Sequence, residues 1–236
     1  MSKLLISVTS AAEALLALEA GADIIDLKNP LQGALGALPV KVVREAVAMV
    51  DGRRITSATT GDLPMQPQLL QDAVLAMADT GVDIIKIGLF GDAEANRRCI
   101  QALQQPIMER QLAVVAVMMA DLAPNFSLLP DLQQAGFWGV MLDTAHKDGR
   151  NLLDHCSLAQ LEEFIQQAGD MNTGLAGSLK SQHLLQLIKM KPSYLGVRGA
   201  VCVGLDRVAQ LSKTQVSALK DMLHEYNTSA ESADLV

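Results

Sequence analysis

Eight short apolar runs separated by amphipathic stretches recur along the whole chain, and this alternation constrains the fold more than any other feature. The runs are Leu4 to Val8, Ile24 to Leu27, Arg54 to Ala58, Ile84 to Ile87, Ala113 to Met118, Gly139 to Leu142, Thr173 to Ala176 and Tyr194 to Val197. A strand covered on both faces reads as a nearly continuous apolar run, so the pattern predicts βα units with parallel pairing. A weak internal repeat adds to this. Gly21-Ala22-Asp23-Ile24-Ile25-Asp26-Leu27-Lys28 returns as Gly81-Val82-Asp83-Ile84-Ile85-Lys86-Ile87-Gly88, and more faintly from Gly136 to Asp143. In each copy glycine can end a helix in the left-handed region before a turn delivers the chain into a strand. Repetition at even-numbered strands suits a symmetric closed barrel, and no Gly-rich dinucleotide fingerprint follows the first strand. The expected fold is α/β, a single-domain (β/α)8 TIM barrel over residues 1–226, followed by a polar, flexible tail over 227–236.

Helix starts are expected at the capping boxes Ser10 with Glu13, Ser157 with Gln160 and Ser212 with Gln215, and at Pro39 and Pro67. Pro106 is expected to end or kink a helix that begins near Asp92. Aromatics make up only 3% of the 236 residues, so Ala, Val, Ile, Leu and eleven Met must fill the core. The stretch Ala113 to Ala120 falls far short of the roughly 20 residues of a membrane helix. Met1 to Ala22 superficially imitates a signal peptide, but Glu13 and Glu19 interrupt it at helical spacing, so it is read as structure and the protein as cytoplasmic. A net charge of −7 opposes nucleic acid and anionic membranes, whose binding relies on clustered Lys and Arg. Cys99, Cys156 and Cys202 and the histidines at 146, 155, 183 and 224 lack ligand spacing, so no metal is expected. A mean hydropathy of +0.23 hints at buried subunit contacts and leaves a homo-oligomer open.

Charges placed in or just after apolar runs point to a site, because burying a charge is costly unless it is paired or used. Asp26 and Lys28 are two apart at the end of the second strand and project to one face, toward the barrel mouth, with Ile25 and Leu27 on the other. By the repeat, Lys86 stands where Asp26 does and Asp143 where Lys28 does, so all four should converge. One reading is a buried salt-bridge network that only closes the barrel. The other is chemistry: a lysine amine is a nucleophile when neutral, a second cation or a dry pocket favours that form, and a nearby acid can move protons during imine formation. Thr59-Thr60-Gly61-Asp62 and Lys147 are further mouth candidates, Lys147 with a solvated turn as its alternative.

Phosphate is suggested at the last two units. Gly177-Ser178 and Arg198-Gly199 follow the seventh and eighth runs, where barrels commonly bind phosphate through backbone amides, and Arg198 would add charge-assisted bonds. Plain turns are the alternative. The loop Asn29 to Pro39, with two glycines, five apolar residues and prolines near its ends, suits either a mobile lid over an imine or a static packed loop.

Taken together, Asp26-Leu27-Lys28-Asn29-Pro30 with Gly33-Ala34-Leu35-Gly36, Asp83 to Gly88, Met141-Leu142-Asp143-Thr144 with Lys147-Asp148-Gly149, Gly174 to Leu179 and Val197-Arg198-Gly199 resemble the (5-formylfuran-3-yl)methyl phosphate synthase family, also called 4-(hydroxymethyl)-2-furancarboxaldehyde-phosphate synthase. The similarity runs from Leu4 to about Leu223, and the D-x-K-N-P-x-x-G-x-L-G stretch is its most specific part. The resemblance implies a carbon–oxygen lyase that condenses two glyceraldehyde 3-phosphate molecules to a furan phosphate with loss of phosphate and water, in methanofuran biosynthesis. It implies Lys28 as the Schiff-base lysine, Lys86 as general acid/base, and Asp26, Asp143 and Lys147 as completing the site. No cofactor is implied, and the expected partner is a small phosphorylated aldehyde. A class I triose-phosphate aldolase-type enzyme remains an alternative, although such aldolases carry the imine lysine at the sixth strand, where this chain has Asp143. A non-catalytic phosphate-ligand binding barrel is another.

Overall fold

The computed structural model describes residues 1–233, with side chains described to residue 228. The strands are β1 (Lys3–Val8), β2 (Ile24–Leu27), β3 (Ile55–Thr59), β4 (Ile84–Leu89), β5 (Ala113–Met119), β6 (Gly139–Asp143), β7 (Asn172–Leu175) and β8 (Tyr194–Val197). They pair in parallel in chain order, and β1 also pairs with β8 from Lys3↔Tyr194 to Ile6↔Val197, closing the barrel. The helices are α1 (Ala11–Glu19), α2 (Val40–Val50), α3 (Pro67–Ala78), α4 (Ala93–Arg110), α5 (Leu129–Gln134), α6 (Leu152–His155), α7 (Leu158–Gln167), α8 (Ser181–Leu187) and α9 (Lys213–Ala233). This is the expected single-domain (β/α)8 barrel. The one-turn α6 is an insertion between β6 and α7.

Strand alternation sorts the apolar residues into two layers. Leu5, Ile24, Ile84, Val115, Val117, Met141 and Tyr194 fill the barrel interior. Leu4, Ile6, Val8, Ile25, Leu27, Ile85, Ile87, Val140 and Leu142 pack outward against the helices. Each such Leu, Ile or Val contributes about 1.5–3 kcal/mol by leaving water. The repeat glycines adopt the left-handed conformation expected of them, with φ of +90° at Gly21, +83° at Gly81 and +80° at Gly136. The repeat also has a structural use at the closed end. The Asp23 carboxylate accepts the Leu4 N–H, and that of Asp83 accepts the Thr56 N–H and hydroxyl, so each acid fixes a neighbouring strand.

Several local expectations are corrected. Helix α4 starts after its Asp92 cap but continues through Pro106 to Arg110. Ser157 and Gln160 form the full capping box, whereas Ser10 accepts the Glu13 N–H without a reciprocal bond to its own amide. The Glu13 carboxylate instead takes the Thr9 N–H and pairs with Arg198. Ser212 accepts the Gln215 N–H at 3.4 Å. Strand β3 starts one residue later than expected, leaving Arg54 bonded to the Ala22 carbonyl away from the mouth. Helix α9 carries the chain past residue 227 as far as Ala233; the rest of the expected tail, 234–236, lies outside the described residues. Among the described residues, no helix is long and apolar enough to cross a membrane.

Candidate active site

Strands β2, β4 and β6 deliver four charged side chains to a cavity of about 520 Å3 at the carboxyl end of the barrel. That volume lies within the usual range of small-molecule sites. Asp26 and Lys86 form its floor. Lys86 Nζ lies 2.6 Å from Asp26 Oδ1, and both side chains are buried. Ser57 donates to Asp26 Oδ1 at 2.6 Å and Ser7 to Asp26 Oδ2 at 2.9 Å, so the carboxylate is held from three strands. Burial opposes its charge, but Lys86 and Lys28 outweigh that and hold the carboxyl below the ordinary range. For Lys86 burial dominates and lowers the amine pKa; Asp26 opposes this and Lys28 adds to it.

Asp143 forms the second centre. Its Oδ2 lies 3.5 Å from Lys28 Nζ, and its Oδ1 accepts from Lys147 Nζ at 2.9 Å. Lys147 also donates to Thr144 Oγ1 at 3.0 Å, so its partly buried ammonium is tied back over β6 instead of lying in a solvated turn. Burial again opposes the Asp143 charge, and Lys147 and Lys28 overcome it, pushing the carboxyl well below its ordinary range. Burial lowers the Lys147 pKa, opposed by Asp143 and reinforced by Lys28. The loop carrying Lys147 is itself pinned, because the Asp121 carboxylate accepts the amides of Ala145 and His146 at 2.7 and 2.8 Å. Lys28 thus stands between two acid–lysine pairs, 8% exposed, facing the cavity.

The expected phosphate loops both line this cavity, through Gly177 and Ser178 after β7 and Gly199 and Ala200 after β8. Gly177, at φ +110°, crosses Thr144 so closely that a Cβ would sit 2.9 Å from Thr144 Cγ2, and only glycine meets both demands. Arg198 departs from expectation. Its Nε donates to Arg207 O, its Nη1 to Ser7 O and Glu13 Oε2, and its Nη2 to Glu13 Oε1 and Ala209 O. All five N–H groups are committed to the protein, so the guanidinium holds the segment after β8 in place and its hydrogen bonds are not free for a ligand. The same segment supplies a guanidinium that sequence reasoning missed, that of Arg207.

The loop after β2 is seated. Asp62 Oδ2 and Oδ1 accept the amides of Ala34 and Leu35 at 2.9 and 2.8 Å, and Thr59 donates to Gly36 O. Ala34 and Leu35 are fully buried, whereas Leu31 is exposed. Thr59 and Asp62 therefore anchor this loop, and neither lines the cavity. Ser7 and Ser57 were also missed, although the two-residue alternation that located Asp26 would place both in the interior.

Residues 4–220 match the sequence profile of the 4-HFC-P synthase family. The chain belongs to that family. It is 38% identical over 235 residues to the (5-formylfuran-3-yl)methyl phosphate synthase of Archaeoglobus fulgidus, covering 94% of this chain and 99% of the relative. The enzyme of the same name from Methanothermobacter thermautotrophicus is 34% identical over 238 residues, with 94% and 99% covered. Among solved structures the fold is similar to that of phosphoribosyl anthranilate isomerase from Thermus thermophilus, with a TM-score of 0.68 at 14% identity and 95% and 99% of the two chains covered. That likeness concerns the barrel alone. As a member of the 4-HFC-P synthase family, the protein is an enzyme whose relatives are synthases of a furan phosphate.

Proposed function

We propose that this 4-HFC-P synthase family member condenses two molecules of glyceraldehyde 3-phosphate into (5-formylfuran-3-yl)methyl phosphate, releasing phosphate and water, as a carbon–oxygen lyase of methanofuran biosynthesis in the cytoplasm. The observation that carries the reading is the convergence of Lys28, Lys86, Asp26 and Asp143 on one cavity bordered by the glycine loops of β7 and β8.

Lys28 Nζ attacks the aldehyde carbon of the first substrate, and loss of water gives an imine. The protonated imine draws electrons from the adjacent carbon and acidifies its hydrogen. Lys86, whose burial favours the neutral amine, takes that proton, and Asp26 stabilises the ammonium that results. The electron pair left on carbon expels the phosphate from the neighbouring carbon or adds to the aldehyde carbon of the second molecule. Ring closure through a hydroxyl, dehydration and hydrolysis of the imine complete the furan and return Lys28. Asp143, held as a carboxylate by Lys147, stabilises the cationic imine beside it. The amides around Gly177, Ser178 and Gly199 receive substrate phosphate.

Incubation with glyceraldehyde 3-phosphate tests the reading. An ultraviolet-absorbing product formed together with one equivalent of free phosphate supports it. A non-aromatic sugar phosphate would instead mark an aldolase, and unchanged substrate a binding barrel.

A further inference from the structure

The wall formed by the segment between β8 and α9 carries a guanidinium that the steps above do not use. The backbone of Arg207 packs over the phosphate loop: a Cβ at Gly199 would lie 3.7 Å from Arg207 Cβ and 3.8 Å from its amide nitrogen. From there the side chain reaches the loop after β2, where Nη2 donates to Gly33 O at 3.2 Å. Partial burial lowers its pKa, opposed first by the Asp143 carboxylate, which places the guanidinium within the field of the catalytic acids.

Arg207 and Arg198 differ in what they face. Arg198 is saturated by protein acceptors and paired with Glu13. Lys28, Lys86 and Lys147 each face Asp26 or Asp143. Among the described residues no carboxylate lies within ion-pair distance of Arg207, and its side chain donates to a neutral carbonyl, Gly33 O. Asp143, Asp206 and Asp62 act on this half-buried guanidinium only from beyond ion-pair distance, which leaves room in the cavity for an anionic ligand in direct contact, and its planar fork matches a phosphate.

We propose that Arg207 is the phosphate-binding arginine of this site. It exchanges its bond to Gly33 O for a bidentate contact with the phosphomonoester of the bound aldehyde, and so sets specificity for phosphorylated over free trioses. The inference rests on the reading that the substrate is a phosphorylated aldehyde. The probe is sn-glycerol 3-phosphate, which has no carbonyl and cannot form an imine, titrated calorimetrically beside glycerol. The wild-type protein is expected to bind the phosphate and not glycerol. Arg207→Gln is expected to loosen the phosphate at least about tenfold, the loss of one charged fork. Arg207→Lys keeps the charge, loses the fork and should fall between the two, and equal melting temperatures exclude a folding effect. Binding by Arg207→Gln within about twofold of wild type, or no preference of the wild type for the phosphate over glycerol, would overturn the assignment. Arg207-dependent binding without any furan product would remove the synthase reading and leave this one standing.

Discussion

Lys86 Nζ sits 2.6 Å from Asp26 Oδ1 inside a closed barrel, with the lysine side chain 2% exposed and the aspartate 0%. The charges come from strands that are not neighbours, β2 and β4, and the intervening strand β3 contributes Ser57 to the same oxygen. Breaking one side of such a pair leaves an uncompensated buried charge, which costs roughly 3–5 kcal/mol unless the group neutralises.

Asp26→Asn is therefore expected to lower stability by several kcal/mol and activity by at least about a hundredfold. Lys86→Met in the Asp26→Asn background should recover part of the stability and none of the activity. Urea unfolding of the two single variants and the double variant measures the coupling. Strict additivity would show that the two groups do not interact.

The acids also shape the response to pH. The folded pKa of Asp143 lies below its ordinary value of 3.8, so its contribution to stability is complete above about pH 4 and is lost as pH falls further, toward the folded value. Asp143→Asn should be less stable than wild type at pH 7, and the gap should close as the pH drops below about 4. Unfolding midpoints across that window check this. A gap that stays constant with pH would mean that the carboxylate is not held by Lys147 and Lys28.

Lys147 anchors Asp143 without facing the floor pair. Lys147→Met should reduce kcat/KM by about ten- to a hundredfold and also lower the melting temperature, though less than Asp26→Asn does, because the buried Asp143 keeps Lys28 as its remaining counter-charge. Steady-state kinetics with glyceraldehyde 3-phosphate is the check. An unchanged kcat/KM would return Lys147 to the role of a turn residue.

Glu13 joins α1 to the segment after β8, accepting from Thr9, Arg198 and the Leu211 amide. Glu13→Gln leaves Arg198 without a counter-charge and should cost about 2–3 kcal/mol. It should also raise KM for the phosphorylated substrate, because Gly199 and Arg207 ride on that segment. Chemical denaturation and KM together test this, and loss of stability with an unaltered KM would separate Arg198 from the phosphate site.

The barrel and the convergence of its buried charges were legible because both follow from period-two alternation. Asp26, Lys28, Lys86 and Asp143 interrupt apolar runs at interior positions, so their convergence required only strand ends and a common direction. Arg198 was misread because it follows a strand within a glycine pair, and its five acceptors come from Ser7, Glu13, Arg207 and Ala209, which sequence distance does not bring together. Arg207 was missed for the opposite reason. It lies in an irregular stretch containing the 3-10 turn Val203–Leu205, where no periodicity announces which way a side chain faces. The loop after β2 was read from its glycines, whereas Asp62, from the next unit, is what seats it.

The central claim is that Lys28 carries the substrate covalently, and borohydride trapping tests it most directly. Reduction in the presence of glyceraldehyde 3-phosphate, followed by peptide mass mapping, should add a reduced triose to the peptide containing Lys28, and Lys28→Arg should abolish the label. Label on Lys86 or Lys147, or no label under turnover conditions, would contradict the account.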